Sequence, residues 1–267
     1  MGGEPTISKP IHIWENGELH SRKDSVANES PIEISVSISG VEQSLGIIMR
    51  TPGDDGDLAI GFLLGESVIK SMDDIHSIKY FEGKVLVELN SSNKKISDLP
   101  SRKFTINSSC GICGTEELEN YAIPDRLNIS DEKWLDPKLL INLPRIMKPA
   151  QRNFEDTGGL HAAALYDQNS NLMAIKEDVG RHNALDKLIG SRLKSGDLPA
   201  EYQVLMLTGR IGYELIQKAA YGGLPVVVGL GAPTTMAVDA ARSTGITLIG
   251  FLKEEKFNVY CGAWRIL

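Results

Sequence analysis

Two of the chain's three cysteines, Cys110 and Cys113, stand two residues apart in the stretch NSSCGICGTEELENY. A thiol reacts as its thiolate, and the partial positive charge of a helix N-terminus favours that form. Thr115 offers a helix cap and Glu116 and Glu117 a first turn, so the cysteines lie just ahead of a helix start. Gly111 and Gly114 leave the backbone pliable and give a bulky partner room to approach the sulfur. A segment so rich in serine and glycine is a poor core, which points to chemistry or metal binding. Three chemistries suit a CxxC. Structural zinc needs four ligands; only Cys261 and the scattered His12, His20, His76, His161 and His182 remain, without ligand-like spacing. A thioredoxin-type dithiol follows a strand near the start of its domain, whereas this pair follows a polar loop in mid-chain. A persulfide carrier needs a nucleophilic, accessible cysteine, which this setting supplies.

Further polar groups gather in four stretches: a glycine turn, and three that read as strand-to-helix junctions. In FEDTGGLHAAALYD, Thr157-Gly158-Gly159 is a turn whose backbone N–H groups suit an anion. His161 there is reminiscent of the zinc deaminases, but the carboxylate expected two residues on is replaced by Ala163, and the cysteines precede the histidine. The plain alternative is a structural histidine. KEDVGRHNALDKLIG places Glu177, Asp178, Arg181, His182, Asn183 and Asp186 around Gly180; His182 or Asn183 could instead cap a helix. LTGRIGYEL adds Thr208, Gly209 and Arg210, and GLGAPTT adds Gly229, Gly231, Thr234 and Thr235. Three such junctions along one sheet edge, two with arginines, point to a phosphate-bearing ligand. No Walker A motif and no strand-borne G-x-G-x-x-G occurs, so ATP and NAD are not indicated.

The elements that must hold these groups can be read from periodicity. Residues 1–25 are polar and broken by Gly and Pro, and read as a loose lead-in. From residue 26 to 118 the pattern is a small α+β unit ending in the CxxC loop. IEISVSISG alternates as a half-buried strand, QSLGIIMRTP is a second, and DDGDLAIGFLLGESVI is a helix that Asp54, Asp55 or Asp57 would cap. IHSIKYFEGKVLVEL reads as a hairpin turning at Glu82-Gly83. Residues 119–150, punctuated by prolines, form a connecting region with one helix near DPKLLINLPRIM. Residues 151–267 alternate apolar strands and amphipathic helices, the signature of an α/β domain with helices on both sheet faces.

At 267 residues, 42% apolar and 24% charged, the chain can bury a full core and is not disordered. A net charge of -7 argues against broad nucleic-acid binding, though not against a local basic pocket. No run of about 20 apolar residues suggests a bilayer span, and the N-terminus does not read as a secretory signal. Three cysteines are no disulfide framework, and a cytoplasmic setting is expected.

Taken together, CGICG, TGGLHAAAL, EDVGRHNALDKLIG, LTGR, GAPT and the closing GF…KFNVY resemble the accessory sulfurtransferase family of molybdenum-dependent formate dehydrogenases. The resemblance covers the chain from about residue 30 to the end, and EDVGRHNALDK is its most specific motif. It implies an α/β protein: an α+β N-terminal unit, then a cytidine-deaminase-like α/β C-terminal domain whose mixed sheet is flanked by helices. It implies a persulfide carrier that takes sulfur from a cysteine desulfurase and delivers it to molybdenum bis(molybdopterin guanine dinucleotide), a bound substrate, for formate dehydrogenase. No permanent metal is implied. Cys110 falls on the family's persulfide-forming cysteine and Cys113 on its companion. The family's cofactor segment falls on Phe251, Leu252, Lys253, Glu254, Glu255 and Lys256. Family members often carry arginines there; Lys253 and Lys256 keep the charge and lose the bidentate fork. Arg181, His182, Thr208, Gly209 and Arg210 complete the expected cofactor contacts. The resemblance also implies a homodimer. The rival expectations are a non-catalytic molybdenum-cofactor chaperone and a zinc-dependent hydrolase or deaminase.

Overall fold

The computed structural model describes residues 3–90, 105–106 and 131–267. Cys110 and Cys113, with the helix expected after them, lie outside the described residues.

The first unit is built on a five-stranded sheet in the order β5-β6-β3-β4-β7. β3 (Ser30–Ile38) and β4 (Val41–Arg50) pair antiparallel. β5 (Ile75–Phe81) and β6 (Lys84–Leu89) form the expected hairpin across Glu82-Gly83, and β6 runs parallel to β3. The short β7 (Thr105–Ile106) lies parallel to β4, with Ile47 opposite Thr105 and Ile48 opposite Ile106.

α1 (Asp55–Gly65) buries residues on every side, among them Leu58, Ile60 and Leu63. Full burial of such a side chain stabilises by about 1.5–3 kcal/mol. An all-round apolar helix must be enclosed, and α1 is, between this sheet and α5 of the second unit. The expected acidic cap is corrected. Asp54 occupies the N-cap in a left-handed conformation and makes no side-chain cap bond. Asp55 instead pairs with Arg50 at 2.7 Å, and Asp57 with Lys176 at 3.0 Å.

The second unit is a six-stranded mixed sheet ordered β13-β12-β11-β10-β8-β9. Its centre, β10 (Val204–Leu207), β11 (Val226–Gly229) and β12 (Thr247–Gly250), is parallel. β8 (His161–Tyr166), β9 (Leu172–Asp178) and β13 (Asn258–Cys261) join antiparallel. Alternate strand residues feed two cores, as a sheet covered on both faces requires. Ala163, Leu165, Leu205, Leu207, Val227 and Leu248 meet α5 (Arg181–Lys194), α6 (Tyr213–Tyr221) and α7 (Thr235–Thr244). Ala162, Tyr166, Met206, Val228 and Ile249 meet Leu140, Leu143 and Met147. Those three belong to α2 (Pro137–Leu140) and α3 (Leu143–Met147), two short helices where one was expected. Asn142 and then Pro144 begin a new helix start inside the run, which divides it.

The reading of residues 1–25 as a loose lead-in is corrected as well. β1 (Thr6–Glu15) and β2 (Glu18–Ala27) form a ten-residue-per-strand hairpin. It turns at Asn16-Gly17, both at positive φ, the type I′ chemistry that matches strand twist. The alternation of Ile7, Ile11 and Ile13 is masked by charged partners because both faces are largely exposed. The hairpin rests on α4 (Arg152–Thr157), where Ala27 approaches Gly159.

Candidate functional site

The C-terminal ends of β10, β11 and β12 form one edge, and the N-terminal end of the antiparallel β8 joins it. In an open α/β sheet such an edge is where ligands bind. Glycines let the segments approach closely. A side chain at Gly209 would press on His161 and Arg181; one at Gly231 would press on the Gly209 carbonyl and Arg210; one at Gly250 would press on Pro233, Tyr260 and the Gly231 carbonyl. Arg181, Thr208, Gly209, Arg210 and Gly250, which precedes the 251–256 segment, therefore gather along this edge.

His161 is half-buried beside Thr208, its Nδ1 3.4 Å from the Thr208 hydroxyl oxygen. That oxygen also accepts from the Ala162 amide at 2.9 Å, which locks the end of β10 to β8. Burial lowers the His161 pKa and the Arg181 guanidinium lowers it further, against an opposing pull from Asp178. The imidazole is thus neutral near pH 7. His161 belongs to this edge although its sequence context left a structural role open. The one signal was its position at the head of an alanine-rich run just after a glycine turn.

The segment after β12 folds back on the same edge. Phe251 has φ 53 and is exposed; its amide donates to the Gly231 carbonyl at 3.2 Å. A non-glycine residue in that region is uncommon, and a bulky one is an outlier held by its surroundings. The Leu252 amide donates to Gly229 at 3.1 Å while its side chain is buried in the second core. Lys253 and Lys256 close a turn through an amide-to-carbonyl bond of 2.9 Å; both, with Glu254 and Glu255, are exposed. Lys253 and Lys256 offer charge to an anion, whereas the Leu252 side chain faces away from one.

The KEDVGRHNALDK motif divides in an unexpected way. Glu177 accepts from the amides of Asn153 and Phe154 at 3.0 and 2.9 Å, holding the start of α4. Asp178 is fully buried and pairs with Lys187 at 2.7 Å. Asn183 does not cap α5, whose N-cap is Gly180; it donates to the Met49 carbonyl at 2.8 Å. Asp186 receives two bonds from Lys218, at 2.7 and 2.9 Å, beneath the ring of Phe62. Burial pushes Asp186 up to about 6 while Lys218 pulls it down. Burial alone would lower Lys218, but Asp186, Glu66 and Glu214 outweigh it and raise its pKa. The two ammonium-to-carboxylate bonds favour the ionised pair at neutral pH. His182 Nε2 lies 3.4 Å from a carboxylate oxygen of Glu214 on the neighbouring α6. Arg181 lies against Gly209 beside His161, and Asp178 is the cross-strand partner of His161.

Among the described residues no cluster of three or more His, Cys, Asp or Glu is gathered as a metal site. No described helix is long and apolar enough to cross a membrane.

Residues 27–267 match the model of the FdhD/NarQ family. "Sulfur carrier protein FdhD" of Streptomyces avermitilis is 41% identical over 100% of this chain and 97% of its own length. The protein of the same description from Sulfolobus acidocaldarius is 42% identical, over 94% of this chain and 95% of its own. A crystal structure from Desulfotalea psychrophila, described as a formate dehydrogenase accessory protein, superimposes with a TM-score of 0.76 at 24% identity. It covers 98% of this chain and 99% of that one, which establishes the shared mixed α/β fold. By a match that spans nearly the whole sequence, the chain belongs to the FdhD/NarQ family.

Proposed function

We propose that the protein is a sulfur carrier serving formate dehydrogenase, working through a persulfide on Cys110. The observation that carries this reading is its likeness along its full length to proteins described as sulfur carriers, joined to the CGICG segment. The Cys110 thiolate attacks the outer sulfur of a cysteine desulfurase persulfide. A new S–S bond forms at Cys110, the donor's S–S bond breaks, and the donor cysteine leaves as a thiolate, with no net oxidation. Cys113 assists as a second thiol.

The acceptor is the molybdenum bis(molybdopterin guanine dinucleotide) cofactor, held as a substrate. Its phosphates suit the edge formed by Gly209, Arg210, Gly231 and Arg181, with Lys253 and Lys256 adding charge. β7 supports this division of labour. It ends at Ile106, shortly before Cys110, and pairs with β4, whose exit at Thr51 touches the Arg181 junction.

Mass spectrometry tests the first step. Wild-type protein incubated with a cysteine desulfurase and cysteine gains the mass of one sulfur atom, and Cys110→Ala does not. A Cys110→Ala protein that still gains it removes the assignment. Active formate dehydrogenase in cells carrying a Cys110→Ser, Cys113→Ser variant would favour a cofactor chaperone instead.

A further inference from the structure

Thr51 is 2% exposed and sits where β4 ends. All three of its polar groups are taken by the β9–α5 junction. Its amide donates to Asp178 Oδ2 at 3.1 Å, its hydroxyl accepts from the Val179 amide at 3.0 Å, and its carbonyl accepts from Lys187 Nζ at 2.8 Å. The junction is itself braced. Asp178 Oδ1 accepts from the Gly180 amide at 2.8 Å and from Asn183 Nδ2 at 2.9 Å. Asn183 Nδ2 also reaches the Met49 carbonyl at 2.8 Å.

This clasp is an expensive way to join two units. Burying a carboxylate and an ammonium costs more than an apolar pair of the same volume, so a buried ion pair is weak support for a purely stabilising role. What it adds is a fixed geometry, because every donor and acceptor must meet its partner. The two strands of chain it fixes are informative. Upstream, β4 pairs with β7, the strand leading into the CxxC segment. Downstream, Asp178, Val179 and Gly180 run into Arg181, which lies against Gly209 and His161.

We infer that the Thr51 clasp is a positioning device for sulfur delivery, holding the strand pair that leads to the cysteines in fixed register with the anion-binding edge. Asp178 and Lys187 are then positioning residues, and the EDVGRHNALDK motif is as much a joint as a ligand site. The inference rests on the sulfur-carrier reading. It separates loading, which involves only the cysteine and the donor, from delivery, which needs the cysteine segment and the cofactor edge in register.

The test uses full-length Thr51→Val, which keeps shape and loses the hydroxyl acceptor, Thr51→Ser, which keeps the acceptor, and Lys187→Met. Three quantities are read well below each melting temperature: sulfur loading by mass, formate dehydrogenase activation in cells lacking the native protein, and the melting temperature. Thr51→Val and Lys187→Met are expected to load like wild type yet activate the dehydrogenase about ten-fold less, the scale of loss that small misplacement brings. Thr51→Ser restores delivery. Should Lys187→Met fail to fold, Thr51→Val decides alone. Folded variants that deliver like wild type overturn the clasp's role, as does a fall of loading and delivery together in step with the folded fraction. Wild-type protein that never loads sulfur would overturn the carrier reading itself, a failure visible without any variant.

Discussion

At the scale of single residues, His161 is the side chain whose behaviour is most readily measured. Its folded pKa lies below the ordinary 6.5, through burial first and Arg181 second. A base with a depressed folded pKa binds its proton more readily when unfolded. Its contribution to stability is therefore intact above pH 6.5 and is lost as pH falls from there through the lowered folded value. A proton titration followed by NMR should place the His161 midpoint below that of a solvent-exposed histidine, and Arg181→Met should move it upward. Urea unfolding at pH 7.5 and 5.5 should show that His161→Asn loses less stability on acidification than wild type. A midpoint that Arg181→Met leaves unchanged would mean that Arg181 does not face the ring in solution. The sequence placed His161 at the head of an alanine-rich run that could start a strand or a helix; its partners were not legible, because Thr208 and Arg181 reach it only through the sheet and the α5 turn.

The element scale is governed by one helix crossing. α1 and α5 meet at Gly61 and Gly190, where a methyl group on either would run into the carbonyl oxygen of Asp186 or Asp57. Backbone, and not a flexible side chain, fills the space, so the helices would have to part. Gly190→Ala should therefore destabilise by about 1–3 kcal/mol, the usual cost of overpacking, although alanine favours a helix. Chemical denaturation checks it, and a neutral or stabilising result would mean that the crossing is looser than described. Periodicity revealed both helices because it is a local property of each. It could not reveal that glycine sets their distance, since Gly61 and Gly190 are neighbours only in space. The β1–β2 hairpin escaped the same reading because a strand pair exposed on both faces shows little alternation in burial.

For the whole molecule, a single apolar cluster runs from Ile32 of the first sheet through α1 to Leu185 and Leu248 of the second. The units on either side of residue 150 share that core. The N-terminal hairpin stands outside it as its own two-stranded sheet, with Trp14 71% and Leu19 65% exposed. An isolated hairpin is marginally stable. A chain beginning at Glu29 should fold and lose no more than about 1 kcal/mol, or roughly 2–4 °C in melting temperature. Circular dichroism melts of the two proteins test this. A collapse of the truncated chain would show that the hairpin's contact with α4 is essential.

The sequence by itself determined most of the elements beyond the N-terminal hairpin, the α/β alternation of the second unit, the family and the paired cysteines as the residues offered for chemistry. Each of these is written in local spacing or in short motifs. Tertiary structure decided which of the polar residues of 177–187 are taken up by partners inside the fold and which lies at the sheet edge beside Gly209. Their partners lie far off along the chain: Asp178 meets Thr51 across 127 residues, and Asp186 meets Lys218 across 32. A carboxylate reads the same in sequence whether it faces a buried lysine or a ligand, and only folding brings up the group that distinguishes the two.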